Sequence, residues 1–170
     1  MDILLVLLRL IHILGAFVWV GIAFTQVFLI SPAMVTAGES GLRFAKAMNA
    51  RPLARMAISV AAGVTVIAGI LLYLVGNSAS HFSQTGNMVL GIGAVAGLAA
   101  AGHGGAVTGR LAAQLGRLVN QYVTDQGLNP EGLPAIREIA TKLGMHTRIS
   151  FVLMLVALIY LYLKGGSYSI

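Results

Sequence analysis

The sequence predicts an all-α integral membrane protein, a bundle of four transmembrane helices running up-down-up-down, and three observations lead there. Of its 170 residues 58% are hydrophobic and only 9% charged, with a mean hydropathy of +0.89, values far from those of soluble domains. The apolar residues gather into four long runs, each close to the roughly 20 residues a helix needs to cross hydrocarbon. Lysine and arginine cluster in alternate connections, as the sidedness of a multi-span protein requires.

The first span covers residues 3–30 and is expected to stop at Ser31-Pro32, because proline disfavours helical geometry in the residue before it. It lacks a basic segment ahead of the apolar run and a small-residue cleavage site after it, so it reads as a retained helix. The second span covers 56–75 and ends in the turn-forming Gly76-Asn77-Ser78. The third covers 88–109 and the fourth 143–163. Loops 31–55 and 110–142 join them on one side, and the chain is a single membrane domain over 1–170. The second loop is not featureless: residues 110–123 continue a helical apolar pattern, Pro134 suits the first turn of a segment running into the fourth span, and turn residues fill 124–132. Helices 3 and 4 are therefore expected to extend into the cytoplasm.

Arg43, Lys46, Arg51 and Arg55 lie in the first of these loops. Arg110, Arg117, Arg137, Lys142 and Arg148 lie in or beside the second, so nine of the eleven cations mark one side. That side is predicted to be cytoplasmic and both termini to be outside the cell (inner) membrane. Arg9 and Lys164 fall near the outer helix ends, where long side chains reach the headgroups, and Tyr73, Tyr160 and Tyr162 fit an interfacial belt there. The net charge of +6 is explained by this placement, so the lipid bilayer is the expected partner and nucleic acid is not.

The absence of cysteine excludes disulfides, thiolate metal sites, iron–sulfur clusters and covalently attached c-type haem. No acidic residue lies in any span, which leaves a carboxylate proton relay without support.

The third span carries Gly93, Gly97, Ala101, Gly105 and Gly109 at four-residue spacing, a stripe that invites close packing of another helix, in this chain, a second copy or a membrane complex. A shorter version appears at Ala61, Thr65 and Gly69. In the first span His12, Trp19 and Gln26 recur every seven residues on one face that should point inward. Two readings stand for that face: a cofactor or substrate pocket, or polar side chains satisfied by neighbouring helices around a space-filling indole.

His103 lies about 10 Å inside the third span if Arg110 marks its end, among alanines and glycines that leave room for a flat macrocycle or simply for helix packing. His146 lies within roughly 4 Å of the same depth on the fourth span, so the two suit a bis-histidine b-type haem, and Arg148 or Arg9 would balance propionate charge. His12 sits in the outer half of the first span, too far in depth to pair with His103 through straight helices. An external copper site from His12, His81 and Met88 is the other metal reading.

The first span, with Leu8-Arg9-Leu10-Ile11-His12, six residues to Trp19, then Val20-Gly21 and a terminal Ser31-Pro32, resembles the copper-resistance-D-like integral membrane proteins and their small relatives. Arg51-Pro52-Leu53-Ala54-Arg55 leading to Gly69, and Arg137 with Lys142 before a terminal apolar helix, are similar too. A more distant likeness is to the HemJ-type protoporphyrinogen oxidases, whose first helix carries a histidine and a tryptophan spaced as His12 and Trp19 are. That likeness implies haem ligation by His12; the lysine that family uses in its third helix has no counterpart between Arg55 and Arg110. Together these features lead to an expectation of a b-type haem in a redox or electron-transfer role. The alternatives are a non-catalytic subunit of a larger membrane complex and copper transport or resistance.

Overall fold

The computed structural model describes residues 3–75 and 85–165. His81 and the turn expected at 76–78 lie outside the described residues, as do the side chains of Tyr162 and Lys164. Among the described residues four helices are long and apolar enough to cross a membrane, and they form the expected all-α bundle.

The first span is longer than its proline suggests. Helix α1 (Ile3–Thr25) passes through a π segment (Gln26–Ile30) into α2 (Ser31–Ala37) without a break. In a regular α-helix Pro32 would crowd the Phe28 carbonyl and leave it without its donor. The wider π turn relieves this: the Ser31 amide reaches back to the Gln26 carbonyl, five residues away, and the chain continues through Pro32 in helical geometry. What stops α2 is Gly38, whose φ of +57° is left-handed-side backbone that favours glycine.

The connection expected as a loop at 31–55 is largely helical. After Gly38, α3 (Glu39–Asn49) begins with an acid, which favours a helix N-terminus, and Glu39 pairs with Arg43 one turn on. Helix α4 (Pro52–Val75) comes next, with proline at a first-turn position that needs no amide donor.

The third span runs as α5 (Thr85–His103), a second π segment (Gly104–Thr108) and α6 (Gly109–Tyr122). A hairpin of β1 (Val123–Thr124) and β2 (Gly127–Leu128) and a 3-10 turn (Pro130–Gly132) lead to α7 (Leu133–Gly165). At 1.5 Å per residue α7 is about 50 Å long, so it outreaches a 30 Å hydrocarbon core, as predicted for this helix.

α1 lies along α4 and α5 along α7, and the two pairs meet through Trp19, Ala23, Val27, Ala61, Ala100, Phe151 and Met154. The indole of Trp19 lies within this cluster, while His12 and Gln26 of the same face are half-buried. The outside is apolar: Phe17 is 77% and Val95 68% exposed, a pattern suited to lipid contact.

The basic end is closed by a cap of α3, α6 and the hairpin. Lys46 donates from Nζ to the Val123 carbonyl at 2.6 Å, and the Asn129 amide donates to the Tyr122 carbonyl at 2.8 Å. Glu138, exposed and bonded to Lys142, is held below the usual carboxylate range by that hydrogen bond and charge.

Gly41 is a tight point of the cap, set against backbone. A Cβ there would meet the backbone carbonyl of Met34, which has no flexible end to move away. Gly41→Ala is expected to destabilise the protein by about 1–3 kcal/mol through overpacking, read as an earlier thermal unfolding in detergent.

Candidate functional site

The close approach of α5 and α7 builds the site. Gly93 faces the Ala157 backbone and Tyr160 Cβ, where an added Cβ would sit 3.3 and 3.2 Å away, and Gly97 faces the Ala157 methyl. Ala100, one turn further, is fully buried. The outer part of the glycine stripe is therefore covered by α7 of the same chain, while nothing lies within 4 Å of a Cβ added at Gly105.

This approach sets His103 of α5 against two residues of α7. Its Nδ1 lies 2.8 Å from Ser150 Oγ, and its Nε2 lies 3.1 Å from His146 Nδ1. The π segment after His103 shifts the next turn and brings Thr108 Oγ1 to 3.4 Å from Ser150 Oγ, a long contact. Ser150 is only 4% exposed, and both imidazoles are half-buried with centroids 5.2 Å apart and planes tilted by 41°.

Two proton arrangements satisfy this chain equally. His146 Nδ1–H donates to His103 Nε2 while His103 Nδ1–H donates to Ser150, or every bond reverses, with the Ser150 hydroxyl donating to His103 and His103 to His146. A hydroxyl both donates and accepts, and a neutral imidazole does each at one nitrogen. The site can therefore reverse its polarity without moving a heavy atom.

The predicted pairing of His103 with His146 is thus present as direct contact, which is not the geometry of a bis-histidine haem. Two imidazole nitrogens on opposite sides of one metal stand about 4 Å apart for bonds of about 2 Å, with the macrocycle between them. At 3.1 Å, with the second nitrogen being Nδ1, the pair as arranged does not fit that group.

Compared with protein-family models, with curated proteins and with solved structures, the chain matches none.

His12 stands elsewhere, between α1 and α4. Its Nδ1 donates to the Thr65 carbonyl at 2.8 Å, and the ring lies against Gly69, where a Cβ would come within 2.9 Å of the imidazole. Thr65 in turn donates to the Ala61 carbonyl, and a Cβ at Gly15 would strike its hydroxyl. The brief small-residue stripe of Ala61, Thr65 and Gly69 is what lets a histidine sit in this interface. Gln26 has a local partner instead: its amide donates to Ser31 Oγ across the π segment, at 3.2 Å.

Arg9 is exposed on α1, and Arg148 is exposed beside Val27, Phe28 and Pro32 of the first span. Neither approaches the histidine pair through a hydrogen bond or ion pair among the described residues. Met88 is half exposed, and no group of three His, Asp or Glu side chains gathers among the described residues; His81 of the copper reading lies outside them.

Ser150 and Thr108 were not legible as site residues, although Ser150 falls one turn after His146 on an apolar helix, a spacing that puts both on one face. A double-mutant cycle with His103→Ala and His146→Ala, read by thermal unfolding in detergent, should give a coupling of about 0.5–2 kcal/mol. Additive effects would mean that the two rings do not share a bond.

Proposed function

We propose that this chain is a cell-membrane protein, with its basic end in the cytoplasm and both termini outside, that binds and exchanges protons through the His103–His146 pair. One observation carries the reading: a run of side chains, His146, His103 and Ser150, joined by contacts of 3.1 and 2.8 Å inside an otherwise apolar helix pair. Ionisable groups at such depth are costly, and histidine chains are among the means by which membrane proteins move protons.

The chemistry comes from the contact itself. A neutral pair shares one N–H between two nitrogens. An added proton gives an N–H⁺···N bond, which holds a single excess charge between both rings and strengthens their attraction. A second added proton would place two cations face to face and break the contact. The contact can therefore accommodate one excess proton, at the end of a hydrogen-bonded chain whose direction can reverse.

The test is a pH titration of the two imidazoles by NMR in detergent, over about pH 4 to 9. A proton held across the contact should be felt by both rings at once, and His146→Ala should remove that shared response from His103. If neither ring takes up a proton in that range, the two histidines only staple α5 to α7, as expected of a non-catalytic subunit.

A second reading, b-type haem in electron transfer, is favoured by His12. Its Nδ1–H is committed to the Thr65 carbonyl, which fixes the tautomer and leaves Nε2 as the basic nitrogen, the arrangement seen in metal-ligating histidines. Arg9, three residues earlier, lies on the same flank to balance propionate charge. The group would supply one-electron chemistry; this chain would supply the oriented imidazole. Protein purified from its native membrane should then show a Soret band that His12→Ala abolishes and His103→Ala leaves in place. A colourless preparation sinks this reading without touching the proton site.

A further inference from the structure

Arg148 stands two residues before buried Ser150 and on the opposite flank of α7, exposed toward the outside of the bundle. It borders a cavity of about 350 Å³ between α7 and the first span, walled by Val27, Phe28, Pro32, Phe151 and Val152. Apart from the guanidinium, every wall is apolar. Phe28 meets Phe151 edge-on with centroids 5.3 Å apart, and Phe24 adds a third ring at 5.0 Å from Phe28.

The groove owes its shape to the π segment, which spans Gln26–Ile30 and so carries both Val27 and Phe28 past this face of α7. Arg148 has no hydrogen bond or ion pair among the described residues. Two of the acids at this end are already engaged, Glu39 with Arg43 and Glu138 with Lys142. A guanidinium at the margin of an apolar belt is left with a strong unmet demand for an anion.

We propose that this groove binds an anionic phospholipid of the leaflet at the basic end, with its phosphate on Arg148 and an acyl chain along Phe28, Phe151 and Val152. The two ends of the groove ask for different things, and one molecule supplies both. A guanidinium pairs bidentately with phosphate oxygens. The aromatic and aliphatic wall asks for hydrocarbon, which inorganic phosphate lacks. The cavity lies at the small end of ligand-site volumes, room for the phosphate–glycerol region and the start of one chain. No acidic side chain lines it, so a headgroup carrying an ammonium gains nothing there, and the surrounding cations favour net negative charge.

The experiment uses the full chain in a neutral detergent and monitors thermal unfolding while dioctanoyl phosphatidylglycerol, dioctanoyl phosphatidylcholine or inorganic phosphate is added. The anionic lipid should raise the midpoint by about 5–10 °C near saturation, and the other two should leave it almost unmoved. Arg148→Gln removes only an exposed, unpartnered charge, so it should fold normally and lose the shift. Val152→Trp fills the groove with the charge retained and should lose it as well. An undiminished shift in either variant overturns the site. An equal shift with phosphate alone overturns the lipid as its source, and an equal shift with phosphatidylcholine overturns the preference for negative charge.

Discussion

The distance between α5 and α7 governs the rest of the molecule. In lipid no hydrophobic force draws helices together, so their spacing is set by how closely the backbones can lie and by any polar bond they share. Gly93 and Gly97 remove the side chains that would hold α7 away, and Ala100 continues the contact with one methyl. Only then can His103 reach both His146 and Ser150. The dependence runs the other way as well, since half-buried imidazoles without partners would cost free energy that the close approach avoids.

The two π segments solve different problems with one device. Each adds a residue to a turn and thereby rotates the later part of the helix relative to the earlier part. At Gln26–Ile30 the wide turn admits Pro32 and lets the first span continue to Ala37. At Gly104–Thr108 it comes directly after His103 and swings Thr108 back toward Ser150. Glycines at 104 and 105 leave no side chain to crowd that turn. Both segments lie toward the basic end, and each borders a feature with chemistry, the arginine-lined groove or the histidine pair.

Span number and inward faces were legible because hydropathy and small-residue spacing act locally along a helix. The depth estimate for His103 and His146 placed them together for the same reason: rise per residue is nearly constant, so two antiparallel helices can be matched by counting. The nature of their contact was not legible, because a separation of 3.1 Å as opposed to about 4 Å depends on helix rotation and backbone spacing that no count provides. Helix α3 was hidden in a charged connection, although Leu42, Ala45 and Met48 repeat at helical spacing. Ser31-Pro32 misled because proline rules assume α geometry, and the π turn lifts that assumption. One reading of the first span has Gln26 bonded to a neighbouring helix, yet the same π turn offers it Ser31 close at hand.

The polar centres of the molecule are kept apart by its driest region. His12 with Thr65 lies between α1 and α4, and His103 with His146 and Ser150 lies between α5 and α7. Between the two pairs stand Trp19, Ala23, Ala61, Ala100, Phe151 and Met154, among which there is no side chain that both accepts and donates a proton. Among the described residues no hydrogen-bonded side chain of this core links the histidine pair to His12. The proton exchange proposed for the histidine pair is therefore a local one, confined to the contact between α5 and α7. Electrons are not bound by the same requirement of contact, so a redox centre on His12 and a proton site on α5 and α7 would be compatible in one bundle.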